Sequence, residues 1–378
     1  MDDLIGPRLL RLRVRNLRNL RNVDLDLCDT SHRILLTGSN GAGKTTLLEA
    51  VYLLARGRSF RGRKAGSLTT DGERRTLIEG LFREADSSSE SMLVFERSSR
   101  GSLRRYNSVA MGSLPPSESP LRVKLVGENP QALLEGEPVL RRGLLDWNLF
   151  HVEHRLGQLR GEFRRVLAQR NAALRQSGPS ASLWDPAFVD LSDQITVKRA
   201  AFVDLWRAEF RSFANDFSFL DGCDLLFERG WPHDSDLTDI LERGRSAEVQ
   251  RGQTLAGAHR ADVTISRSGG SSRLSRGQAK VAVCLLQLAA ERVHRANGLL
   301  PSLWLLDDID AELDPGTADR LWRLFGNPDT QQLVARLSCE SGGICVESAA
   351  ADCMFHVEHG TLTPAAPIDR PLPPASLA

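Results

Sequence analysis

A chain of 378 residues, 41% hydrophobic and 26% charged, has the composition of a folded soluble protein with room for two or three domains. Its formal net charge of +1 excludes a partner chosen by a global field. No apolar run reaches the length of a membrane span, and residues 1–30 carry no signal peptide. The six cysteines form no C-x-x-C pair, so zinc and redox motifs are set aside and a reducing, cytoplasmic setting is expected. The basic residues are nearly all arginine, with lysine only at Lys44, Lys64, Lys124, Lys198 and Lys280, a bias that genomic base composition explains.

In chain order, Leu10–Arg15 alternates strictly and reads as a strand with an arginine face. Val23–Leu27 alternates with aspartates, so the two are expected to form a hairpin with Arg facing Asp, a reading preferred to nucleic-acid contact. Arg33–Thr37 reads as a buried strand and Thr46–Leu54 as a helix with an apolar stripe. Between them Gly38-Ser39-Asn40-Gly41-Ala42-Gly43-Lys44-Thr45 fits G-x-x-x-x-G-K-[ST] at every fixed position. Strand, glycine loop and helix are the setting that motif requires. The glycines let the backbone curl until several N–H groups face one phosphate chain, and the helix N-terminus adds positive potential. Residues 38–46 are therefore expected to bind nucleotide, with Lys44 on the β and γ phosphates and Thr45 on Mg²⁺.

Gly57–Lys64 is a compact basic loop, and residues 76–83, 91–97 and 103–110 read as short strands. A helical middle follows. Over 154–175 the apolar residues Leu156, Leu159, Phe163, Val166, Leu167 and Leu174 recur at helical spacing. The other faces carry Arg155, Arg160, Arg164, Arg165, Arg170 and Arg175 against Glu162 alone. With Arg141 and Arg142 just upstream, they read either as a solvated face or as a DNA-contacting one. Further helices are expected over 186–217 and near 236–251, with a strand at Leu225–Phe227, but the block as a whole reads as an all-helical insertion. His-Val-Glu-His occurs at 151–154 and again at 356–359, an i, i+3 spacing that binds metal on a helix only with a third ligand, which is not in view.

The end returns to α/β character. Ser275 suits the N-cap of a long helix through Arg295, and Leu303–Leu306 is a buried strand running into Asp307-Asp308. An apolar strand ending in acid is the second half of many phosphate-loop sites. Asp307 is then the Mg²⁺ residue and Asp308 the one that polarises the attacking water. The prolines from Thr361 onward read as a disordered tail.

Leu274-Ser275-Arg276-Gly277-Gln278 resembles the LSGGQ signature of ABC-type ATPases, 231 residues after Lys44. The order of phosphate loop, long insert, signature and acidic strand matches that group. The resemblance implies that Ser275, Gly277 and Gln278 cap the γ-phosphate held by a second subunit, with Lys44, Asp308 and Ser275 catalytic. Within the group the chain is similar to the RecF family over nearly its whole length. The resemblance is carried by Asn16-Leu17-Arg18-Asn19, the phosphate loop with Leu48-Glu49-Ala50, Gly57–Arg61, Glu137–Trp147, Gln169–Leu174, Leu274–Gln278 and Leu305–Asp314. Departures occur at Pro130-Gln131, at Gly257-Ala258-His259 and over 333–355, where no switch histidine is evident.

The fold expected is α/β, an ABC-type P-loop ATPase head with an inserted helical arm. Residues 1–125 and 252–362 would form the head, 126–251 the arm and 363–378 a disordered tail. The resemblance implies an ATP- and Mg²⁺-dependent homodimer on single- or double-stranded DNA, acting with RecR and RecO to load RecA in repair, replication restart and the SOS response, with weak DNA-stimulated ATP hydrolysis and no membrane partner. The alternatives are a transporter ATPase subunit and a nucleotide switch with little turnover.

Overall fold

The computed structural model describes residues 5–27, 31–62, 67–84, 89–111, 121–127, 129–176, 179–267, 273–337 and 351–365. The chain divides into two compact units, 1–128 with 300–378, and 129–299. In the first, the opening alternation becomes β1 (Arg8–Leu17) and β2 (Leu20–Asp26), antiparallel, with Arg11 opposite Asp26 and Arg13 opposite Asp24. Both couples are ion-paired, so the arginine face is met by its own neighbouring strand. β3 (Arg33–Thr37) and α1 (Lys44–Arg56) flank the glycine loop. β4 (Arg75–Arg83), β5 (Glu90–Ser98), β6 (Gly101–Tyr106) and β7 (Val109–Met111) extend the first sheet in the order β2-β1-β4-β5-β6-β7. β8 (Val123–Val126) begins the edge of the second sheet.

The second unit holds α2 (Pro130–Leu134), α3 (Pro138–Val152), α4 (Leu156–Arg175) and α5 (Asp185–Ala214), then β9 (Cys223–Glu228), α6 (Leu237–Arg251), β10 (Asp262–Arg267) and α7 (Arg276–Ala296). Of the apolar stripe of α4, Leu156, Phe163 and Leu174 are buried and Leu159, Val166 and Leu167 half-buried, and Phe163 stacks on Phe188 of α5 at 5.3 Å between centroids. The insertion is not all helical, because β9 pairs antiparallel with β10. The signature helix α7, grouped with the head in the sequence-based division, falls in this unit. It packs on α5, where Trp206 Nε1 donates to the Leu286 carbonyl at 2.8 Å.

Three arginines of the expected basic face are spent inside this unit. Arg170 is fully buried and donates to Asp185, Glu248 and Thr254 at 2.7–2.8 Å. Arg141 makes a two-pronged pair with Asp262 at 2.7 and 2.9 Å, and Arg142 donates to the Ala261 carbonyl at 2.7 Å. A buried charge needs such partners, and these arginines have found theirs in the fold. Arg155 at the N-cap of α4 and Arg164, Arg165 and Arg175 on it remain exposed, while Arg160 is half-buried and pairs with Asp146 at 3.3 Å. His151, of the first His-Val-Glu-His, is buried edge-on to Trp147. No metal-holding cluster occurs among the described residues.

The chain then returns to the first unit through β11 (Leu303–Asp307), α8 (Pro315–Leu324), β12 (Gln332–Arg336), β13 (Cys353–Glu358) and β14 (Thr361–Ala365). The second sheet runs β14-β13-β3-β12-β11-β8, parallel except for the β13–β14 hairpin. Residues 363–365, expected in a disordered tail, are therefore strand, and 366–378 lie outside the described residues. One core joins both sheets through α1, whose Leu47, Leu48, Val51 and Leu54 are buried among side chains of β1, β3, β4, β5, β11 and β12. This packing fixes the glycine loop at the C-terminal end of β3, beside the acidic end of β11.

Candidate nucleotide-binding site

The loop from Gly38 to Thr45 leaves β3 and opens α1. Ser39, Asn40 and Gly41 are exposed, while Lys44 is only 5% exposed and its Nζ donates to the Gly38 and Ser39 carbonyls, both at 2.9 Å. Gly43 occupies the N-cap position with φ 122°, a value a side chain would strain, and a Cβ there would lie 2.8 Å from Leu20. No side chain caps α1 and its first turn holds no acid, so its N–H groups and dipole are left for an anion. Thr46, expected among the nucleotide contacts, is 3% exposed and its hydroxyl donates to Asn19 Oδ1 at 3.0 Å.

From the other end of the chain, β11 delivers Asp307, 1% exposed, whose Oδ1 accepts the Thr45 hydroxyl at 3.0 Å. The two expected metal residues, 262 positions apart, are thus in contact. Asp308 follows in the left-handed region at φ 46°, its amide donating to the Ala335 carbonyl at 2.9 Å. Glu312, four residues on, is also left-handed at φ 70°. Between them Asp310 accepts Trp322 Nε1 at 2.9 Å and Arg336 at 2.6 Å. This anchor ties the loop after β11 to the end of β12, where Arg336 pairs in register with Thr37 at the foot of the glycine loop. Sequence reasoning missed Asp310 and Arg336, because nothing in either local pattern points to the other.

Glu49 of α1 is fully buried and gathers two of the quoted motifs. Arg18 Nη2 donates to it at 2.8 Å, the Ser59 hydroxyl donates to it, and Arg61 Nη1 lies 3.9 Å away. The basic loop is thus partly a structural clasp, with Arg58 left exposed and 63–66 outside the described residues.

In the second unit, Ser275, Gly277 and Gln278 open α7. Ser275 Oγ accepts the Gln278 amide at 3.3 Å and Gln278 Oε1 accepts the Ser275 amide at 3.0 Å, a reciprocal capping box. The N-cap expectation is met. Ser275 and Arg276 are exposed, and Gly277 is buried.

A family model described as RecF/RecN/SMC N terminal domain matches residues 8–342. The chain belongs to the RecF family. The curated "DNA replication and repair protein RecF" of Cellvibrio japonicus (strain Ueda107) is 34% identical over 363 residues, covering 94% of this chain and 99% of that one. The RecF of Proteus mirabilis is 33% identical over 371 residues, covering 94% and 98%. Among solved structures, "recombination mediator protein RecF-ATP in RecFOR pathway" superposes with a TM-score of 0.80 at 23% identity, covering 96% of this chain and 99% of that one. An Smc head bound to the C-winged helix domain of ScpA follows at TM-score 0.55 and 13% identity, covering 94% and 97%. The fold is the α/β ABC-type ATPase fold that the resemblance implied. No helix among the described residues is long and apolar enough to cross a membrane.

Proposed function

We propose that this chain binds ATP with Mg²⁺ at the glycine loop and uses it to dimerise on DNA as a cytoplasmic recombination mediator. The observation that carries the reading is the contact of Thr45 with Asp307 beside a buried Lys44 in an intact phosphate loop. A hydroxyl and a carboxylate oxygen are the hard donors magnesium takes, so the residues present fit the ion. When bound, Mg²⁺ would neutralise charge on the phosphates. Lys44 would exchange its two loop carbonyls for phosphate oxygens, and the free N–H groups of α1 would face the same anion. Asp308 would accept a proton from the attacking water.

Ser275, Gly277 and Gln278 would complete the site of a second copy by presenting the α7 N-terminus to its γ-phosphate. DNA, single- or double-stranded, would be met by the arginines left exposed, Arg155, Arg164, Arg165 and Arg58. RecR and RecO are the partners the family implies, and RecA loading, replication restart and SOS induction the outcome. The relatives named for DNA replication and repair support this reading.

The experiment is ATP turnover by Lys44→Arg, with and without DNA. The guanidinium keeps the charge but is larger and planar, so it misplaces that charge against the phosphates. Turnover should vanish in a folded protein, and normal turnover would overturn the assignment. Wild-type binding without turnover on DNA would make the chain a nucleotide switch.

A further inference from the structure

Two turns outside the phosphate-loop motif hold that loop in shape. The first joins β1 to β2 and contains Asn16-Leu17-Arg18-Asn19, whose Asn16 and Arg18 are left-handed at φ 55° and 51°. Asparagine tolerates such an angle, but an arginine holds it only where the surroundings impose it. Here Thr70 and Thr76 donate to the Arg18 and Asn16 carbonyls at 2.7 and 2.9 Å, and buried Glu49 grips the Arg18 side chain. The strained turn presents Asn19 to the loop. Its Nδ2 donates to the Gly41 carbonyl at 3.0 Å, and its Oδ1 accepts the Thr46 hydroxyl at 3.0 Å.

The second turn joins β13 to β14 and ends the second His-Val-Glu-His. Gly360, at φ 79°, donates its N–H to the Ala42 carbonyl at 3.0 Å. A Cβ on Gly360 would stand 2.5 Å from the Asn19 carbonyl, so the two turns abut.

The consequence lies in the peptide planes. A trans peptide points its N–H opposite to its C=O. Tying the Gly41 carbonyl therefore turns the Ala42 N–H to the opposite side, where it donates to the Ser39 carbonyl at 3.3 Å and closes the turn of the loop, and tying the Ala42 carbonyl turns the Gly43 N–H away from Gly360. Glycines at 41 and 43 would otherwise let these planes flip at little steric cost. The geometry points to Asn19 as a positioning residue for phosphate binding, with Gly360 as its counterpart across the loop. This rests on the nucleotide reading above and adds to it a determinant of affinity that lies outside the motif.

The test is calorimetric titration of the full chain with ATP and with ADP. Wild type should bind both, and Lys44→Ala should bind far more weakly, which establishes the site itself. Asn19→Asp keeps the shape and the acceptor for Thr46 but cannot donate to Gly41 when ionised. It should weaken ATP and ADP alike by roughly tenfold or more, with an unfolding midpoint near wild type. Thr46→Val should lose part of the same affinity, and Thr46→Ser, which keeps the hydroxyl, should restore it. Gly360→Ala should weaken both nucleotides as well. Wild-type affinity in folded Asn19→Asp, with Lys44→Ala impaired, would overturn the positioning role and leave the site standing. No binding by wild type would overturn both.

Discussion

The two units use their family-typical residues in opposite ways. Around the glycine loop, motif residues keep polar groups open: Ser39, Asn40 and Gly41 are exposed, α1 has no capping side chain, and the anchoring is done by Asn19, Gly360 and Glu49 from outside the motif. In the second unit the motif residues are consumed. Arg141, Asp146, Arg170 and Asn171 meet Asp262, Arg199, Asp185, Glu248 and Thr254 inside the fold. A run of arginines quoted from a family is thus not by itself a DNA footprint. What separates the classes is whether each guanidinium already has its carboxylate.

The largest effect that would break this contrast is on stability. Arg170→Ala removes the arginine partner of buried Glu248 and leaves Asp185 with Arg245 alone, so it should cost about 3–5 kcal/mol in denaturant unfolding. A cost under about 1 kcal/mol would return Arg170 to the candidate DNA-binding arginines.

Next is the acidic end of β11. Asp308→Asn should slow hydrolysis by roughly a hundredfold while nucleotide binding persists, because it removes a proton acceptor and keeps the shape. Asp307→Ala should instead weaken Mg-ATP binding, since Asp307 is the partner of Thr45. Equal nucleotide affinities in the two variants would contradict the division of labour.

A pH effect of intermediate size belongs to the second unit. Burial pushes the His259 imidazole down to about 4, with Arg260, Arg142 and Arg170 adding to the shift and the Thr254 carbonyl opposing it. In the unfolded chain it titrates near 6.5. Between those values the unfolded state binds the proton and the folded state does not. This contribution is therefore complete above pH 6.5 and is lost as pH falls toward 4, by at most about 1.4 kcal/mol per pH unit. His259→Gln should flatten the urea midpoint over that window, and an unchanged slope would count against it.

The smallest effect sharpens the contrast from the other side. Arg164 and Arg165 are exposed, so replacing both with Ala should shift stability by under about 0.5 kcal/mol. If they touch phosphates, the salt dependence of DNA binding should flatten by about one unit for each phosphate no longer neutralised. Arg58→Ala is the matching test for the basic loop.

How much is legible in the sequence follows the same division. The Arg/Asp hairpin, the glycine loop and β11 can be read because alternation, glycine spacing and a run of buried apolar residues are local signals. β12 cannot, because it begins at Gln332 and ends at Arg336, polar ends whose partners Arg33 and Asp310 lie far away in sequence. β14 reads as tail because of Pro364, yet an edge strand tolerates proline. α3 hides its buried side under Arg141, Asp146, Asn148 and His151, polar residues whose burial only tertiary partners explain.

The most direct measurement is sedimentation of wild type and Ser275→Arg with Mg-ATP, each checked for nucleotide binding. Ser275 caps α7 in the unit that does not hold the phosphate loop, so Ser275→Arg should bind ATP. The composite site predicts that wild type becomes a dimer with ATP and a monomer without it, while Ser275→Arg stays a monomer in both. A Ser275→Arg protein that binds ATP and dimerises like wild type would contradict it.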